Sequence, residues 1–87
     1  MHRRSYAVWW YEGDGPRHAG KLELGPLHLL LSNGSARIAL ALDEIVTVDY
    51  ERGELRITSR RGPPLRVGNL DGPGVLLELG DALRVAA

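Results

Sequence analysis

Punctuation constrains this chain more than any single residue does. Turn-forming residues cluster at 13–20, 25–26, 32–35, 51–54 and 61–64 of its 87 residues. Between the clusters lie short runs in which apolar and polar residues alternate. Strands of four to eight residues fit such intervals, and helices of ordinary length mostly do not. The pattern therefore points to an all-β sandwich or barrel.

Alternation assigns the faces, because successive strand side chains point to opposite sides. Leu22 and Leu24 oppose Lys21 and Glu23, while Leu27, Leu29 and Leu31 share one face against His28 and Leu30. Asn33-Gly34 is a strong hairpin signal, since both residues tolerate positive φ. Residues 36–42 read two ways. Ile38, Leu40 and Leu42 alternate with Arg37, Ala39 and Ala41, but Ser35 could also cap a helix carrying Ile38, Leu42 and Ile45. The preceding turn needs a partner strand, which favours the strand. Asp43-Glu44 makes a corner before the β-branched run 45–50, and Leu55, Ile57 and Ser59 alternate with Arg56, Thr58 and Arg60. Seven strands follow, at about 5–12, 18–25, 27–32, 36–42, 45–50, 54–60 and 64–68.

The period changes in the tail. Asp71 can cap a helix over about 73–86, with Pro73 tolerated in its first turn. Val75, Leu76, Leu79, Ala82, Leu83 and Ala86 fall within one arc of about 120°, wide enough to cover a sheet. Leu77 lies outside that arc, between Asp81 and Arg84. Gly80 costs roughly 1 kcal/mol against alanine, so this helix depends on docking.

Composition narrows the function classes. The chain has no cysteine, which removes disulfides, thiol nucleophiles and cysteine–zinc sites together. Its formal net charge is zero, so nothing global drives it to nucleic acid or an anionic membrane. No run approaches the ~20 apolar residues that span a bilayer, and the expectation is a soluble cytoplasmic domain. Lys21 is the single lysine among eleven basic residues, a bias typical of GC-rich bacterial genomes.

Seven short strands closed by one amphipathic helix resemble the pleckstrin-homology-like superfamily, in a compact bacterial form. The stretches carrying the resemblance are "GKLELGPLHLLLSNG" (20–34), "ALDEIVTVDY" (41–50) and "GPGVLLELGDALRVA" (72–86). It covers residues 5–86 and implies a single domain over 1–87. Two nearly orthogonal antiparallel sheets would form a partly open barrel, with the helix plugging one end. The loops at 12–18, 32–35 and 59–64 would gather at the other end. The resemblance implies a binding module rather than an enzyme, on a fold that serves lipids, peptides and proteins alike. Its phosphoinositide-binding members carry several basic residues across the first hairpin. Here "YEGDGPRHAGK" (11–21) offers Arg17, His18 and Lys21, offset by Glu12 and Asp14.

Four of the five aromatic residues, Tyr6, Trp9, Trp10 and Tyr11, sit within six positions. Two adjacent tryptophans on a strand cannot enter one core. The bulkier set Tyr6, Val8 and Trp10 is assigned inward, leaving Trp9 and Tyr11 outside. Trp9 is then either covered by the amino-terminal arm or Lys21, or part of a contact surface that includes Tyr11 and Leu77. If the strand lies at an edge, it could also pair with or exchange into a second copy. The leading expectation is a protein-interaction or homodimerisation module. The alternative is weak recognition of an anionic lipid headgroup by Arg17, His18, Lys21, Arg60 and Arg61. The acids at 43–54 and arginines at 56–66 read mainly as cross-strand pairs. His2, His18 and His28 lack metal-ligand spacing, no acid–base or nucleophile arrangement is legible, and no cofactor is implied.

Overall fold

The structure, a computed structural model, describes residues 4–70 and 74–86. Its strands are β1 (Arg4–Glu12), β2 (His18–Leu24), β3 (His28–Ser32), β4 (Arg37–Ala41), β5 (Ile45–Glu51), β6 (Glu54–Ser59) and β7 (Leu65–Asn69). One helix, α1 (Gly74–Ala86), closes the chain. The strands form one antiparallel sheet in the order β4-β3-β2-β1-β7-β6-β5.

The strand β1 therefore lies at the centre, which corrects the edge-strand expectation. Arg4 to Trp10 pair with β2, and Val8 to Glu12 pair with β7. Only Val8, Trp9 and Trp10 bond to both neighbours. Passing from one partner to the other along β1 curls the sheet into a half-barrel, the partly open barrel that the resemblance implied.

The inward residues of that curl form the core. Val8, Trp10, Leu22, Leu29, Leu31, Leu55 and Val67 are fully buried. Trp10 is in and Trp9 is not, as alternation required. Helix α1 docks mainly on β5, and its Leu76, Leu79 and Leu83 complete the core. Gly80 has a positive role there: a Cβ at this position would stand 3.1 Å from Leu55 Cδ2, so glycine lets the helix approach β6. Arg84 donates from Nε and Nη2 to the Val48 carbonyl at 3.2 and 3.0 Å, pinning the helix to the outer edge of β5. The Asp71 cap lies outside the described residues.

Two turns work differently from each other. The β3–β4 hairpin forms at Asn33-Gly34, but neither residue has positive φ. Instead Asn33 Oδ1 accepts from the Ser35 and Ala36 amides at 2.8 and 2.7 Å, and Asn33 Nδ2 donates to the Ala19 carbonyl at 3.1 Å. An Asx turn does the work that positive φ was expected to do. The β5–β6 hairpin has the two-residue loop Arg52-Gly53, with φ of 52° and 80°. That is the twist-matched turn, and it costs Arg52 a left-handed conformation. After Ala41, the 3-10 turn Leu42–Glu44 carries the corner into β5, so residue 42 leaves the strand expected for 36–42.

Trp10→Ala should lower stability by about 3–5 kcal/mol in urea unfolding, because it empties the centre of the curl. Arg52→Asn should raise it by roughly 0.5–1 kcal/mol in the same assay, since asparagine tolerates the left-handed region.

Candidate functional site

The outward set of β1 builds the most distinctive surface. Trp9 is flanked by the smallest residues available, Ala19 on β2 and Gly68 on β7. Its indole occupies the space above Gly68, where a Cβ would collide with Trp9 Cε2 and Cζ2. The ring thus supplies the side chain that the neighbouring strand lacks, and Trp9 is half-buried while staying on the outer face.

Tyr11, two residues along, stacks on Trp9 with ring centres 5.9 Å apart and planes within 8°. The Arg17 guanidinium lies 4.0 Å from the Trp9 ring centre and 5.9 Å from that of Tyr11. Tyr11 donates to Glu54 Oε2 at 3.4 Å, and Arg66 Nη1 reaches the same oxygen at 3.8 Å. A continuous arrangement of Arg17, Trp9, Tyr11, Glu54 and Arg66 therefore crosses β1, β7 and β6. Each contact is worth about 0.5–1 kcal/mol, enough to order the face without making it part of the core.

The covering predicted for Trp9 differs in kind. Its cover is a glycine below and an arginine beside it; Lys21 turns instead to Glu23 at 3.5 Å, and residues 1–3 lie outside the described set. Leu77 is 53% exposed on the solvent side of α1, the helix that seals the inner face. It does not share a surface with Trp9 and Tyr11.

The basic candidates are mostly engaged one by one. The first and last loops adjoin, with the Gly13 amide donating to the Pro64 carbonyl at 2.9 Å. Yet Arg17 is turned over Trp9, Lys21 is ion-paired, and His18 packs its ring 5.4 Å from that of Trp10. Arg60 is exposed, and its amide donates to the Glu44 carbonyl at 2.9 Å. Only Arg61 lines the slot at this end, a space of about 190 Å³ that it shares with Glu12, Ile38, Leu40, Ile57 and Leu65. Sequence reasoning missed Gly68, and it read Glu54 and Arg66 only as members of cross-strand charge pairs, the form in which they meet here. A signal for the glycine existed: a glycine inside a strand, away from any turn, marks a close approach.

No family model matches the sequence, and no curated protein matches it either. Shape is more informative. The chain superposes on the C-terminal domain of an unknown protein from Leishmania infantum with a TM-score of 0.73 at 17% identity, covering 92% of this chain and 81% of that one. It superposes on the N-terminal PH domain of human ARAP2 with a TM-score of 0.71 at 12% identity, covering 97% and 77%. The fold is pleckstrin-homology-like. In this pleckstrin-homology-like frame the aromatic face occupies the convex side of the central strand, away from the helix. No helix among the described residues is long and apolar enough to cross a membrane.

Gly68→Ala should cost about 1–3 kcal/mol by forcing the Trp9 ring off its seat. In a Trp9→Ala background the same change should cost much less. Additive losses across this double-mutant cycle would show that the ring does not depend on Gly68.

Proposed function

We propose that this domain is a non-enzymatic, cytoplasmic binding module of bacterial origin whose protein partner docks on the outer face of β1, around Trp9 and Tyr11. The observation that carries the reading is the stacked Trp9–Tyr11 pair, held by Arg17 and Glu54. Tryptophan and tyrosine dominate interface anchors because they bury a large area at little entropic cost once pre-ordered. Arg17 already sits where a cation from a partner would, so displacing it exchanges one cation–π contact for another. Since β1 is hydrogen-bonded on both edges, docking uses its face and not strand addition.

The anionic-headgroup reading rests on the adjoining of the first and last loops and on Arg61 at the slot. The engagement of Arg17 and Lys21 elsewhere makes it the second reading.

A photo-crosslinking amino acid at Ala19, the exposed β2 residue opposite Trp9, should capture a specific protein in host cells. Tyr11→Ala should abolish capture while leaving circular dichroism unchanged. Equal capture from a probe at Asp81 on the helix would overturn the assignment of the face. Flotation with anionic vesicles, lost on Arg60→Glu and Arg61→Glu, would instead support the headgroup.

A further inference from the structure

The two edges of the sheet are treated differently. β5 carries a bulge between Ile45 and Thr47, and the side chain of Arg84 occupies its Val48 carbonyl. Both are devices that discourage another strand from adding. β4 has neither.

The hydrogen-bond parity of β4 can be read from its ends. The Asn33 amide donates to the Ala36 carbonyl at 2.9 Å, and the Leu42 amide donates to the Leu27 carbonyl at 3.0 Å. Antiparallel pairs alternate, so Leu31–Ile38 and Leu29–Leu40 are the bonded pairs between those ends. The main-chain groups of Arg37, Ala39 and Ala41 therefore point away from β3, and no hydrogen bond closes them among the described residues.

We infer that β4 is a self-association edge, pairing antiparallel with β4 of a second copy about a two-fold axis through Ala39. In that register Ala39 faces Ala39 of the second copy, and Arg37 faces its Ala41. Roughly six main-chain hydrogen bonds form. The inward, half-exposed Ile38 meets Leu40 of the second copy, so each covers the other. On the outward side Arg37 reaches toward Asp43 of the second copy. Both residues are exposed, and neither has an ion-pair partner among the described residues. This charge match is what selects a second copy over an unrelated strand. Ala39 and Ala41 put only small side chains on the outward side, while Ile38, Ala39 and Leu40 also border the slot they share with Ser59, Arg61 and Pro63.

Sedimentation velocity up to roughly 500 µM should show a monomer–dimer equilibrium for the wild type. Ala39→Lys opposes two like charges at the axis, and Ala39→Pro removes an amide that the monomer does not use. Each should raise the dissociation constant about tenfold or more while leaving the amide spectrum of the monomer dispersed. Arg37→Glu should weaken the dimer roughly two- to fivefold, and Arg37→Glu with Asp43→Arg should restore it. A wild type that stays monomeric, or a dimer indifferent to Ala39→Lys, overturns the inference. A dimer lost on Tyr11→Ala and kept in Ala39→Lys also overturns it and assigns self-association to the aromatic face. A β4 dimer without Tyr11-dependent crosslinking would instead remove the proposed function and keep this edge.

Discussion

Every layer of this domain depends on one strand having two partners. β1 bonds to β2 along its first part and to β7 along its second, overlapping only at Val8, Trp9 and Trp10. The curl that results encloses Trp10 and brings β7 and β6 under the helix. It also leaves the opposite side of the same three residues as the crest of the convex face. Core and candidate binding surface are thus two sides of one short segment.

Glycines set how closely the parts approach. Gly80 admits Leu55 against the helix, and Gly68 admits the indole of Trp9 over β7. In both cases a missing side chain on one element is filled by a large one from another. The second case matters more for function. An aromatic ring seated on backbone is pre-ordered, so a partner would not bear the full cost of immobilising it. Arg17 and Tyr11 extend the same ordering across the face.

The sheet edges show a comparable division of labour. At β5 the helix contributes Arg84 as a plug, so the helix that seals the core also protects the strand beside it. At β4 the chain relies on shortness, five residues whose outward side chains are Arg37, Ala39 and Ala41. An edge left this open on a protein whose other edge is guarded is a place where a strand can be added.

Alternation and turn chemistry made the strands, the closing helix and the fold class legible, because burial on one face enforces period two in a strand and period 3.6 in a helix. The same logic placed Tyr6, Val8 and Trp10 inside. It could not say which strand is central, since strand order depends on contacts between residues far apart in sequence, such as Trp9 with Gly68. Nor could it see that Arg17 would spend its charge on an aromatic ring, that Lys21 would pair with Glu23, or that Leu77 would stand on the far side from Trp9. Even the Asn33-Gly34 turn was placed for the wrong reason, because an amide side chain and a left-handed backbone close the same hairpin. The sequence by itself determined the elements and their buried faces, which follow from local periodicity. Only the tertiary structure decided the neighbours of each strand, and with them the site, because a surface is made by residues that meet across the fold.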